Sequence, residues 1–219
     1  MGLLQRIFGK WLSSDKDEEH VTDKTFGNMV KFRVGSTVSI SDVFSIMVDD
    51  SLQFKQMFKD HDFGSMIVTT ILSFKFDGST VYRLYCENPE TMLQIVEGKG
   101  GPSYMLFIMT QETALQDEAM YNEWYKNDDS VMKSATIDNG FGGKTYEFNK
   151  TFGPVSYIEV LEADDSGVER AASLNKTMTL FDRETPDGVE YALFDAELDD
   201  WIVEGFVGLD VPAEEVTIL

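Results

Sequence analysis

From Leu3 onward the apolar positions are 3, 4, 7, 8, 11 and 12, a spacing that returns every three to four residues and so marks one face of a helix. Leu3, Leu4, Ile7, Phe8, Trp11 and Leu12 fall on one half of that helix, and Gln5, Arg6, Gly9 and Lys10 on the other. Ser13 and Ser14 break the pattern. Asp15 to His20 contains no apolar residue, so the chain divides into an amphipathic helix over residues 1–12, a charged linker over 13–25 and a single β-rich domain over 26–219.

Beyond the linker the period shortens to about two residues, the alternation of a half-buried strand. In SMIVTTILSFKFDGSTVYRLYCEN, Leu72, Phe74 and Phe76 alternate with Ser73 and Lys75, and alternation resumes after Asp77-Gly78 through Tyr82, Leu84 and Cys86. Asp-Gly accepts the positive φ of a tight turn, which predicts a hairpin. KTMTLFDRE and VEYALFDAE, joined by Pro186-Asp187-Gly188, predict a second. TMLQIVE lies between Asn88-Pro89 and GKGGP, and SYMLFIMTQ carries an unbroken apolar run from Tyr104 to Met109 that predicts a central strand covered on both faces. SYIEVLEADDSG and DDWIVEGFVGLDV read as further strands closed by acidic and glycine turn residues.

The fold class expected is mainly β, with α+β as the variant: an antiparallel sheet, sandwich or partly open barrel carrying one or two packed helices. The helix candidates are SDVFSIMVDDSLQFKQMF, which Ser41 or Asp42 can cap, and ETALQDEAMYNEWYKND.

Composition supports a folded body. A hydrophobic fraction of 42%, with 16 Phe, 8 Tyr and 3 Trp, is too apolar for disorder despite a net charge of -21. The charge is unevenly placed: residues 1–12 hold Arg6, Lys10 and no acid, leaving 16 basic against 39 acidic side chains in the remainder. Such a body repels phosphate backbones and anionic headgroups, so no nucleic-acid partner is expected and the body itself is not expected to touch a membrane. The one cysteine, Cys86, permits no intrachain disulfide, fits a reducing compartment and alternates with Tyr82 and Leu84 as a buried strand residue would. No stretch approaches the ~20 apolar residues that span a bilayer. The start lacks a continuous apolar run and a small-residue cleavage site, so it is not read as a signal peptide, and the body is expected to be cytoplasmic. Arg6 stands where a myristoylation motif would carry Ser or Thr.

Candidate chemistry thins out on inspection. Gly143-Lys144-Thr145 in DNGFGGKT imitates the end of a phosphate-binding loop, but Asp138 stands where the loop needs glycine and YEFNKTF beyond it reads as extended, so a Gly-rich turn is expected. The Asp-Asp pairs at 49/50, 128/129, 164/165 and 199/200 lack the spacing of a cation loop and read as turn and surface residues. His20 and His61, with no cysteine or histidine cluster, supply neither a zinc site nor a nucleophile-base pair. No catalytic residue, metal or cofactor is therefore expected. Tyr121, Trp124 and Tyr125 in YNEWYK are candidates for stacking on a ligand, with packing against the sheet as the alternative.

The amphipathic segment asks for a receiver, because a helix of about twelve residues is marginal in water on its own. Leu3, Leu4, Arg6, Ile7, Phe8, Lys10, Trp11 and Leu12 suit a membrane surface, where bulky apolar groups insert beside cations. They equally suit a groove on a partner protein, or the chain's own domain.

MGLLQRIFGKWLSS, the acidic linker and the FKFDGSTVYRLYCEN hairpin together resemble the YjfK-like bacterial proteins, a family built on a domain of unknown function, and the similarity runs over most of the chain. Members of that family are typically encoded near proteins resembling the phage-shock membrane-remodelling protein A, near small membrane proteins and near a glutathionylspermidine-synthetase-like protein. The resemblance implies an accessory role at the inner face of the cytoplasmic membrane, in envelope stress or membrane maintenance, and implies no particular functional residues. The function expected is thus a non-enzymatic adaptor recruited through residues 3–12 to the membrane or to a phage-shock-protein-A-like partner. The alternative is an enzyme or small-ligand-binding domain using a cleft in the β body. Oligomeric state is open.

Overall fold

A computed structural model of the chain describes residues 32–41, 58, 61–76, 78–87, 91–115, 117–120, 134–138, 145–157, 160–163, 169–172, 176–185, 188–197 and 202–219. These residues form strands β1 (Thr37–Ile40), β2 (Met66–Phe76), β3 (Ser79–Glu87), β4 (Thr91–Gly98), β5 (Gly101–Ala114), β6 (Ser134–Asp138) and β7 (Thr145–Tyr157). They continue with β8 (Val160–Ala163), β9 (Glu169–Ala172), β10 (Lys176–Thr185), β11 (Gly188–Glu197), β12 (Ile202–Val211) and β13 (Val216–Ile218). The body is one mainly antiparallel sheet with the open strand order β13, β1, β2, β3, β4, β5, β12, β11, β10, β7, β6, and with β8 and β9 branching from β2.

Both predicted hairpins form. β2 and β3 pair from Ile67↔Glu87 to Phe76↔Ser79, with Gly78 at φ +72° in the turn. β10 and β11 pair from Lys176↔Glu197 to Thr185↔Gly188. TMLQIVE forms β4, which turns into β5 through Gly101 at φ +98°, a conformation that glycine adopts without a Cβ penalty. The run Tyr104–Met109 lies mid-strand in β5 between β4 and β12, with Met105, Leu106, Phe107 and Ile108 all buried.

One expectation needs correcting. ETALQDEAMYNEWYKND does not begin as a helix: Glu112, Thr113 and Ala114 extend β5 and pair with Glu204, Val203 and Ile202. Helix starts only at residues 118–120, where the Asp117 carboxylate accepts the Met120 N–H at 2.9 Å as an N-cap. Pairing along a long neighbour outweighed the helix propensity of three residues. SYIEVLEADDSG supplies strand as expected, Ser156 and Tyr157 ending β7 and Val160–Ala163 forming β8. Of the other helix candidate only Ser41 and Phe58 are described, and Phe58 is helical and buried.

Alternation assigns two apolar faces. Val81, Met92, Met105, Phe107, Leu193 and Phe206 belong to one cluster, while their neighbours Tyr82, Leu93, Leu106, Ile108, Ala192 and Val207 belong to another. The first face is concave, because side chains meet across it that the sheet order keeps far apart. Arg83 on β3 bonds to Asp195 on β11, four strands away, which on a flat sheet would be about 19 Å off at ~4.8 Å per strand. Tyr85 and Phe206 likewise bring their rings to 6.3 Å across three strand steps. The curl is oblique. The row through Arg83 and Gln94 continues to Met105 and Asp210, whereas Asp195 pairs with Glu204, six residues along β12 from Asp210. Such a stagger is the geometry of strands winding toward a barrel. The backbone agrees: β7 pairs with β10, and three residues after it β8 begins to pair with β2, on the far side of the curl.

Candidate functional site: a buried polar cluster inside the curl

Midway along the concave face, a group of polar residues gathers around Arg83 amid buried apolar side chains. Arg83, Tyr85 and Val81 share a face of β3 by simple alternation, and Gln94 stands directly opposite Arg83 on β4. The Arg83 guanidinium, fully buried, donates from Nε to Gln94 Oε1 at 2.9 Å, from Nη1 to Asp195 Oδ2 at 2.9 Å and from Nη2 to Met178 Sδ at 2.7 Å. Its Cζ lies 5.5 Å from the centre of the Phe74 ring. The Tyr85 hydroxyl donates to the same Asp195 Oδ2 at 3.1 Å, and Gln94 Nε2 donates to Met105 Sδ at 3.6 Å. Side-chain exposure of the ion pair is 1% for Arg83 and 0% for Asp195, so water does not screen it.

Other polar groups line the same curl at its two ends. Tyr191 is buried and donates its hydroxyl to Asp210 Oδ2 at 3.1 Å. Burial, then the nearby carboxylates of Asp210 and Asp182, push this phenol well above its ordinary pKa, so it remains a donor. Toward the opposite end Glu112, Glu204 and Asp195 stand side by side across β5, β12 and β11. On the convex face Arg183 pairs with Glu190, its direct cross-strand neighbour.

Cys86 is confirmed as a buried strand residue. Burial drives its thiol up to about 12, partly offset by a hydrogen bond involving Thr91, so thiolate is scarce at neutral pH. In native buffer at pH 8 iodoacetamide should leave Cys86 unmodified and should label it fully in urea, as read by intact mass. Fast labelling of the native chain would place the thiol at the surface. His61 is half-buried and stacks on Phe63 with ring centres 5.8 Å apart. Of the phosphate-loop mimic, Asp138 ends β6 and pairs with Thr145, which opens β7, while residues 139–144 lie outside the described residues.

Leu3, Leu4, Arg6, Ile7, Phe8, Lys10, Trp11 and Leu12 lie outside the described residues, as do Tyr121, Trp124, Tyr125, His20 and the four Asp-Asp pairs. Arg83 and Asp195 escaped the sequence reading. For Arg83 the sequence carries a signal, since its neighbours two residues away on the same face, Val81 and Tyr85, are apolar; for Asp195 it is weaker, with Leu193 on one side and Glu197 on the other. Among the described residues no group of three or more His, Cys, Asp or Glu side chains is placed to hold a metal ion, and no helix is long and apolar enough to cross a membrane.

The described residues thus define a protein built on one curled antiparallel sheet whose concave face closes over a buried arginine–aspartate pair. The chain belongs to the family described as "Protein of unknown function (DUF2491)", whose model matches residues 7–217. Neither a curated protein nor a solved structure matches the chain.

Proposed function

We propose that the protein is a non-enzymatic adaptor of the cytoplasmic side, recruited to the inner membrane surface by the apolar face of residues 3–12. The observation that carries this reading is the uninterrupted helical spacing of Leu3, Leu4, Ile7, Phe8, Trp11 and Leu12 against Arg6 and Lys10, followed by a charged linker. Two cations near an anionic surface contribute about 1 kcal/mol each, so insertion of the six apolar side chains has to supply most of the affinity. A body with 23 more acidic than basic charges outside residues 1–12 opposes direct contact with such a surface, which leaves the amphipathic segment as the part suited to touch it.

The described concave face also favours contact over chemistry in a cleft. Leu72, Met92, Met105, Phe107 and Leu193 are buried there against one another, and the one guanidinium among them is held by Asp195. The resemblance to the YjfK-like proteins supplies a setting, envelope stress or membrane maintenance, in which recruitment of this kind has a use.

Removing residues 1–14 should leave the body's thermal transition in place and abolish co-sedimentation with vesicles containing anionic lipid. Undiminished co-sedimentation of the shortened chain would refute the membrane reading. If instead the full chain ignores vesicles but is retained by a phage-shock-protein-A-like partner only when residues 1–14 are present, the receiver is that protein.

A further inference from the structure

We propose that Arg83, Tyr85 and Gln94 form a carboxylate receptor inside the curl and that Asp195 is its tethered ligand, so that docking of this one side chain selects how the two halves of the sheet close on each other. The receptor side is complete without Asp195. Arg83 and Tyr85 sit two residues apart on one face of β3, and Gln94 faces Arg83 from β4. The 2.9 Å bond from Nε to Gln94 Oε1 fixes the guanidinium plane, and Gln94 is itself tied to Met105 Sδ on β5. Two donors from this unit, Arg83 Nη1 at 2.9 Å and the Tyr85 hydroxyl at 3.1 Å, then converge on a single carboxylate oxygen. That convergence in a site shielded from water is the chemistry of anion recognition.

The carboxylate comes from the other half of the molecule. Asp195 is 112 residues from Arg83 along the chain and four strands away across the sheet. The apolar side chains around it discriminate poorly between registers. Side chains on a strand repeat with period two, so a two-residue slip of β11 would set Leu193 where Asp195 stands and still present an apolar face to the curl. The guanidinium would not tolerate that exchange, since it would remain buried without its counter-charge. A slip the other way would bring Glu197 to the guanidinium but would set the Asp195 charge where Leu193 stands in the apolar lining, so only the register that delivers Asp195 satisfies both the lining and the cation. In this scheme the apolar cluster drives closure and the receptor chooses which closure is reached.

The test uses the full chain. Asp195→Ala should lower the thermal midpoint, and formate should restore at least half of the loss in a saturable way, while sodium chloride at equal ionic strength should not. An Asp195→Ala chain as stable as the natural one would overturn the proposal, and so would a folded variant that gains no more from formate than from chloride. Should Asp195→Ala fail to fold, the Arg83→Met/Asp195→Leu double variant decides. It is expected to fold with a thermal midpoint near the natural one, yet to lose at least tenfold in amide-exchange protection along β10 and β11 and to bind an apolar dye. Natural protection factors in that double variant would show that the apolar cluster selects the register unaided and would overturn the proposal.

Discussion

Replacing Arg83 by methionine should cost about 3–5 kcal/mol of folding stability, read as a fall in the urea midpoint at unchanged slope. Methionine preserves most of the volume, so the loss does not come from a cavity. It comes from Asp195, whose carboxylate has no exposed surface and would keep only the neutral hydroxyl of Tyr85 from the pair of donors on Oδ2. Gln94 loses the donor to its Oε1 and Met178 the donor to its sulfur in the same step. Each such bond is worth about 1 kcal/mol net in ordinary settings, and the stranded charge is the larger effect. A loss below about 1 kcal/mol, the range of exposed pairs, would mean that solvent reaches Asp195.

A second large effect is expected where β5 meets β12. Phe107 is fully buried, and its ring lies over Gly208, the residue paired with it: a Cβ built on Gly208 would come within 2.5 Å of the ring carbons. Glycine in a strand interior ordinarily weakens it, so alanine would be expected to help. Here the sign reverses, and Gly208→Ala should destabilise by about 1–3 kcal/mol through overpacking. Phe107→Ala should cost about 3–5 kcal/mol by opening a cavity. The two losses should not add. With the ring gone the new methyl has room, so the double variant should be more stable than the sum of the single losses implies, by about 0.5–3 kcal/mol. Strict additivity in urea unfolding would show that the ring and the glycine are not in contact.

The local elements of this fold are legible in the sequence, and the reason is physical. Asp77-Gly78 and Pro186-Asp187-Gly188 announce turns because few residues accept the backbone angles that tight hairpins need, and both hairpins form. The run Tyr104–Met109 announces a strand buried on both sides because nothing in it can face water. Alternation states which face a residue occupies, but not which distant strand that face will meet. The insertion of β12 between β5 and β11 and the pairing of β1 with β13 are therefore invisible from local pattern, as is the curl. Arg83 shows the cost. A lone charge in an alternating strand resembles a solvent-facing position until its flanking residues, Val81 and Tyr85, reveal an apolar face. The candidate membrane-contacting segment is the reverse case, since its signal is a helical period that needs no tertiary context.

The place of β12 also orders events during folding. Its register runs from Ile202↔Ala114 to Val211↔Tyr104, so the central seam of the sheet joins segments about a hundred residues apart, and closing so long a loop is slow. Until residues 202–211 are synthesised and docked, β5 and β11 are both edge strands, and β5 presents YMLFIM with unpaired backbone groups, a template for association with other chains. A chain interrupted before Ile202 is therefore not a smaller version of this fold. It holds two half-sheets with adhesive edges, and its fate in a cell depends on whether a chaperone or another copy reaches those edges first.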